Sequence, residues 1–162
     1  GLTIVVVRQG RLGTHGRSLP SYLDYATHHA AESMVNTPPM FAIYVMGKVL
    51  AWMALSGGLV EFERRAKEKA NLLYNAIDNS DGWYRAPVSE VSRSRMNVVF
   101  RLPSEDLEDQ FVVEAAKAGM VNLKGHRSVG GIRASIYNAM PIESVEALVE
   151  FMKTFMANTA RT

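Results

Sequence analysis

The feature that most constrains this chain is a helix with no polar face. Thr37-Pro38-Pro39 supplies a helix start, with Thr37 as N-cap and Pro38 at the first helical position. From Pro38 to about Leu55, Met40, Phe41, Ile43, Tyr44, Val45, Met46, Val49, Leu50, Trp52 and Met53 leave no side of the helix free of apolar groups. Such a helix must be covered all round. A chain of this length alone is not expected to do that, so the segment calls for a partner subunit or a further domain.

Composition narrows the classes. A chain of 162 residues with 48% hydrophobic content can bury the core of one domain, or of a domain plus an appendage. The net charge is only +2, and no stripe of Lys and Arg interleaved with aromatics appears, so nucleic-acid binding is not expected. The densest basic run, Arg64-Arg65 with Lys67 and Lys69, is interspersed with Glu61, Glu63 and Glu68, as on a solvated helix face with i,i+4 pairs. The absence of cysteine excludes disulfides, thiolate metal sites and a cysteine nucleophile, and fits a cytoplasmic location. No apolar run reaches the roughly 20 residues that span a bilayer, so no membrane partner is expected. Gly1–Val7 is too short, and lacks the basic leader, for a signal peptide. The chain opens on Gly1 directly in this β-branched run, which predicts missing upstream sequence.

Along the chain, Leu2–Val7 reads as a strand buried on both faces. Residues 8–36, with Gly10, Gly13, Gly16 and Pro20, read as loops holding at most a short helical turn. Gly57-Gly58 breaks the apolar helix, and an amphipathic one follows from about Leu59 to Asn79, with Leu59, Phe62, Ala66, Ala70, Leu73 and Ile77 in one stripe. Short strands are expected near Tyr84–Val88 and Val121–Leu123, and longer ones at Met96–Leu102 and Ile132–Tyr137. A helix at Glu105–Ala118 is capped by Ser104 and ended by Gly119, and a last helix, Ile142–Met156, is entered through Pro141. From Met96 onward the order is β-α-β-β-α, an α+β sandwich. The domain expectation is residues 1–56 as the remnant of a larger domain and 57–162 as a small α+β domain led in by helix 59–79.

Two places carry candidate chemistry. Arg127 and Arg133, six positions apart, flank Gly130-Gly131. Each guanidinium is a planar fork that grips carboxylate or phosphate bidentately at any working pH. Beside glycines that admit close backbone approach, two forks suit a small molecule with two anionic groups. Solvated surface arginines beside a turn are the competing reading, and an ordinary turn histidine is the competing reading for His126. Asn36-Thr37 stands at the start of the apolar helix, where unpaired N–H groups and the helix dipole suit a phosphate; simple capping by Thr37 competes with that. Of the histidines, His15 and the adjacent His28-His29 lack a carboxylate cluster at ligand spacing, so no metal site is expected. No Gly-x-Ser-x-Gly elbow supports serine hydrolase chemistry.

The run Gly125-His126-Arg127-Ser128-Val129-Gly130-Gly131-Ile132-Arg133-Ala134-Ser135-Ile136-Tyr137-Asn138 resembles the C-terminal signature of the phosphoserine aminotransferases, pyridoxal-phosphate enzymes of the class-V aminotransferase family. Gly1–Arg8, Ser33-Met34-Val35-Asn36-Thr37-Pro38-Pro39 and Ser94-Arg95-Met96-Asn97-Val98 resemble the same family, in the same order along the chain. The resemblance implies the C-terminal part of a fold-type-I pyridoxal-phosphate transferase, α/β overall with an α+β small domain. It implies a homodimer with shared active sites that moves the amino group between glutamate and 3-phosphohydroxypyruvate to give O-phosphoserine. Asn36 and Thr37 would then bind the cofactor phosphate of the neighbouring subunit. His126 and Arg127 would bind the substrate phosphate, also across the subunit boundary, and Arg133 would clamp the α-carboxylate. None of Lys48, Lys67, Lys69, Lys117, Lys124 and Lys153 matches the Schiff-base lysine, which the family places upstream of Gly1. No catalytic residue is therefore assigned here, and the isolated fragment is expected to be inactive. A related phosphorylated threonine analogue of vitamin B6 synthesis is a further substrate within the family. The alternative from another class is an independent regulatory module that binds an anionic metabolite.

Overall fold

The computed structural model describes residues 1–14 and 16–159. It separates into two compact units, Gly1–Ser56 and Gly57–Thr162.

In the second unit the amphipathic stripe folds as helix α3 (Gly58–Asp78). Gly57, with φ 102, turns the chain into it from the left-handed region, where a Cβ would meet that of Glu61 at 2.8 Å. Phe62, Ala66, Ala70, Leu73 and Ile77 are buried as the period requires, joined by Tyr74 and Lys69. Leu59, placed in the stripe by sequence, is instead 79% exposed. It lies in the first turn, before the helix reaches the layer it packs on.

Strand β1 (Asn97–Phe100) pairs antiparallel with β2 (Ile132–Ser135), with Val98 opposite Ala134, Val99 opposite Arg133 and Phe100 opposite Ile132. Alternation sends Val98, Phe100, Ile132 and Ala134 to the core and leaves Asn97, Val99, Arg133 and Ser135 half-buried on the other face. Single bridges widen the sheet: Arg85 joins Arg101 on one side, and Lys124 joins Ile132 on the other. The expected strands at Tyr84–Val88 and Val121–Leu123 are thus reduced to these bridges. At the second, Asn122 adopts φ 62, which interrupts an extended run.

Helix α4 (Glu105–Lys117) starts where Ser104 Oγ accepts from the Leu107 N–H at 3.3 Å, and Glu105, Asp106 and Glu108 offset the dipole in its first turn. It ends before Gly119, which takes φ 86. Helix α5 (Ile142–Thr159) packs against α3 and runs three residues beyond the expected end. Phe100, Phe111, Tyr84 and Phe155 fill the space between helices and sheet, with edge-to-face ring pairs 5.1–6.2 Å apart. The Tyr84 hydroxyl donates to the Met152 carbonyl at 2.8 Å. This is the β-α-β-β-α sandwich read from the sequence, with its second strand contracted to a bridge.

In the first unit the apolar helix is α2 (Met40–Leu55), and none of its residues is buried. It begins two residues later than expected. Pro39, not Thr37, occupies the N-cap and gives no side-chain cap bond. Two consecutive prolines favour extended φ/ψ at the residue before each, which keeps Thr37 and Pro38 outside the helix. Residues 8–36 hold two single 3₁₀ turns and α1 (Tyr25–Ala30), capped by Asp24 accepting from the Ala26 N–H at 2.9 Å. Leu2–Val7 forms no ladder among the described residues, and Val6 is 93% exposed. The sequence supplies β propensity there, but a strand exists only against a neighbour.

Candidate anion-binding site

The segment Lys124–Arg133 leaves the sheet at one bridge and returns to it in β2. The Gly125 N–H donates to the Gly131 carbonyl at 2.7 Å, and the Val129 and Gly130 N–H groups both donate to the His126 carbonyl at 2.8 Å. These bonds close residues 125–131 into a tight loop. A Cβ on Gly125 would run into the Gly130 carbonyl. Gly130 and Gly131 take φ of 74 and 73, and a Cβ on Gly131 would stand 2.6 Å from Arg101 Cδ. Gly125 therefore serves a backbone crossing and Gly131 a close approach to Arg101 that a side chain would block, while Gly130 is required by its positive φ.

His126 and Arg127 are exposed on this loop. His126 Nδ1 lies 2.7 Å from Ser128 Oγ and 3.3 Å from the Ser128 N–H, which fixes the ring against its own turn. Arg127 reaches no carboxylate among the described residues. It lines an open cleft of about 360 Å³ with Glu105, Asp109 and Lys124, while Lys124 Nζ is held by Asp109 at 2.9 Å.

Arg133 stands elsewhere. It sits in β2 opposite Val99, on the sheet face away from the core, and does not line that cleft. Its backbone N–H is bound by the Leu123 carbonyl at 2.8 Å. Its Nε is buried with no hydrogen-bond partner, and no carboxylate pairs with the guanidinium among the described residues. A half-buried guanidinium without an anion is incomplete as a structural element. Of the three sequence-predicted residues of this segment, Arg127 alone lines that cleft.

Asn36 and Thr37 are exposed in the first unit, and Asn36 Nδ2 donates to the Thr37 carbonyl at 3.3 Å. The hydroxyl and amide are donors of the type a phosphate takes, but the helix begins at Met40, so the pair is not on its first turn. A dipole cradle at Thr37, as the sequence suggested, is accordingly absent. Of the six lysines, Lys117 is exposed and lines none of the clefts described, and the other five are engaged. Lys69 is 3% exposed, and its Nζ donates to the carbonyls of Ile136, Tyr137 and Met140 at 3.1, 2.6 and 2.8 Å. Lys67, Lys124 and Lys153 are in ion pairs, and Lys48 lies over Tyr44. Among the described residues no group of three His, Cys, Asp or Glu converges on a metal-sized point, and His15 lies outside them.

Sequence reasoning missed Glu108. It is 6% exposed and accepts from Arg101 Nε at 2.6 Å, from the Leu102 N–H at 3.3 Å and from the Gly131 N–H at 3.1 Å. The signal was present: Glu108 shares the i, i+3, i+7 stripe of α4 with buried Phe111 and Ala115, where a carboxylate needs a partner.

Residues 1–148 match the aminotransferase class-V family. The chain is 56% identical over 155 residues to the phosphoserine aminotransferase of Laribacter hongkongensis, covering 96% of this chain and 43% of that protein. Among solved structures it is similar to phosphoserine aminotransferase from Bacillus circulans subsp. alkalophilus, at TM-score 0.82 and 52% identity, over 86% of this chain and 39% of the other. The PLP-bound phosphoserine aminotransferase from Trichomonas vaginalis matches at TM-score 0.76 and 40% identity, over 83% and 39%. The chain therefore spans well under half the length of the relatives it matches. An independent regulatory module finds no support among these relatives, each of which is named as an aminotransferase. By the extent of these matches, the chain belongs to the class-V aminotransferase family.

Proposed function

We propose that this chain is the C-terminal portion of a phosphoserine aminotransferase, which transfers an amino group between glutamate and 3-phosphohydroxypyruvate to give O-phosphoserine. The observation that carries the reading is the Arg133 guanidinium, half-buried beside the signature loop with an unpartnered Nε. Both substrates carry a carboxylate next to the reacting carbon and a second anion at the far end. Arg133 grips the first, and its fixed place in β2 sets the orientation of the α-carbon. His126 and Arg127 take the distal phosphate, or the side-chain carboxylate of glutamate. That Arg133 does not line the cleft at Arg127 supports the loop's serving the active site of a neighbouring subunit in a homodimer. The readings of residues 1–56 as part of the large cofactor-binding domain, and of 57–162 as the small domain, belong to the same proposal. So do a cytoplasmic location, the phosphorylated threonine analogue as a further substrate, and the absence of nucleic-acid and membrane partners. No single helix among the described residues is long and apolar enough to cross a membrane.

Pyridoxal phosphate would supply the electron sink that makes the substrate α-proton acidic. The donors at hand fit only its phosphate end, through the Thr37 hydroxyl and the Asn36 amide. The lysine that carries the cofactor is expected in the remainder of the protein. In this chain the residues bind and orient; none is placed to move the α-proton.

The test is steady-state kinetics on the full-length protein that contains this chain. Glutamate-dependent amination of 3-phosphohydroxypyruvate is expected. Arg133→Ala should lower kcat/KM by about 100-fold for both substrates through loss of a bidentate carboxylate contact. The 162-residue chain alone should show no turnover. A full-length protein without this transamination, or an Arg133→Ala variant with unchanged kinetics, overturns the proposal.

A further inference from the structure

The loop that carries His126 and Arg127 has no hydrophobic anchor of its own, since Ser128, Val129 and Gly130 are all exposed. What holds it is a buried carboxylate on another element. Glu108 projects from the first turns of α4 and divides its two oxygens between two structures. Oε1 accepts from Arg101 Nε at 2.6 Å and from the Leu102 N–H at 3.3 Å, both beyond the end of β1. Oε2 accepts from the Gly131 N–H at 3.1 Å, at the root of the loop. Arg101 completes the circuit by donating through Nη1 to the Val129 carbonyl at 3.0 Å. Gly130 and Gly131 lie against the same arginine, closely enough that a Cβ on Gly131 would meet Arg101 Cδ at 2.6 Å and the Phe100 carbonyl at 3.0 Å.

We propose that Glu108, acting through Arg101, is the positioning residue of the anion-binding loop, and that it sets the affinity of His126 and Arg127 for a phosphate group. The proposal rests on the functional reading above. The carboxylate touches no substrate-facing group; it fixes the backbone from which those groups project. A carboxylate buried with one guanidinium and two N–H donors is a costly element unless every oxygen is used, and here each one is. The second role, tying α4 to β1 through Leu102, needs only Oε1. The bond from Oε2 to Gly131 and the reach of Arg101 to Val129 serve the loop alone. Because the loop closes on itself through Gly125, Val129 and Gly130, fixing its root fixes the whole of residues 125–131 as one piece.

The experiment compares the full-length holoprotein with its Glu108→Gln and Arg101→Lys variants, and with Glu114→Gln as a control at a half-buried position of the same helix, where the carboxylate accepts only from Gln110 Nε2 at 2.8 Å among the described residues. Gln retains an acceptor toward β1 but places an NH2 against the Gly131 N–H. Lys at position 101 retains the charge beside Glu108 but loses the fork that also reaches Val129. Three readouts are taken: amide hydrogen exchange of residues 125–131, KM and kcat for the phosphorylated oxo acid, and the unfolding midpoint. Glu108→Gln should raise loop exchange and raise KM for the phosphorylated substrate, each by about tenfold, with kcat within about twofold of the parent, as expected for loss of one charge-assisted hydrogen bond. Arg101→Lys should move both in the same direction by about threefold, and Glu114→Gln should move neither. Loop exchange at the parent rate in both variants overturns the proposal. So does a fall in stability with KM unchanged, which would mark Glu108 as a tie between α4 and β1 only. If the parent protein fails to transaminate, the functional reading falls by itself. Loop exchange and titration with inorganic phosphate then decide the positioning role separately: parent-like values in Glu108→Gln overturn it, and faster exchange with weaker phosphate binding sustains it.

Discussion

At the scale of single residues, two long cationic side chains differ in how burial leaves their donors. Arg133 keeps its Nε unpartnered, whereas Lys69 spends all three ammonium protons on the carbonyls of Ile136, Tyr137 and Met140. Those carbonyls follow β2, where the chain turns toward α5, so Lys69 staples the exit of the signature strand to α3. Burial, and then the charge of Arg65, hold its pKa below the ordinary lysine range. Replacing Lys69 with Met should leave at least the Ile136 carbonyl without a donor and destabilise the second unit by about 2 kcal/mol. The check is the midpoint of urea unfolding at constant m-value. In the sequence Lys69 reads as one more surface charge of its helix; nothing in the spacing reveals that one of four neighbouring basic residues points inward. Arg133, by contrast, was legible because β alternation puts it opposite to Ile132 and Ala134.

At the scale of elements, α3 carries an acid-sensitive charge network. Glu61 binds Arg64 at 2.9 Å and Arg65 at 2.7 Å, and Glu63 binds Lys67 at 2.7 Å. Hydrogen bonds from Arg64 and Arg65 lower the Glu61 pKa from 4.5 to about 2. A depressed carboxyl pKa means that the stabilisation is complete above the unfolded value and is lost as pH falls through the folded one. Helicity should therefore decline between pH 4.5 and about 2, and Glu61→Gln should flatten that decline. Far-UV circular dichroism at low ionic strength measures it, and added salt should weaken the effect because the pairs are exposed. Glu63 and Asp78, lowered by Lys67 and Arg93, work in the same direction. The helices of the second unit were legible to within a few residues, because period, caps and terminal glycines are local signals. The short strands were not. Tyr84–Val88 and Val121–Leu123 have the right composition, but the length of a ladder is set by its partner.

At the scale of the whole molecule, the two units differ in what they can sustain alone. The main core cluster, from Ala70 to Phe155, lies wholly in the second unit. The first has no buried residue in α2, where Phe41 is 80% and Leu55 89% exposed. Residues 57–162 expressed alone should unfold cooperatively and run as a monomer, whereas the full 162-residue chain should self-associate through its apolar helix. Size-exclusion chromatography and thermal denaturation check both; loss of cooperative unfolding on removing residues 1–56 would show that the core needs them. The sequence by itself determined the family, the helices of the second unit and the candidate residues Asn36, Thr37, His126, Arg127 and Arg133. These rest on local pattern and on the residues of the motif. Only the tertiary structure decided that Leu2–Val7 has no strand partner among the described residues, that Pro39 and not Thr37 is the N-cap of α2, and that Arg133 does not line the cleft at Arg127. It alone revealed Glu108 and Arg101 beneath the loop. Hydrogen bonds between elements distant in sequence leave no periodicity to read, so such contacts become visible only when the chain is folded.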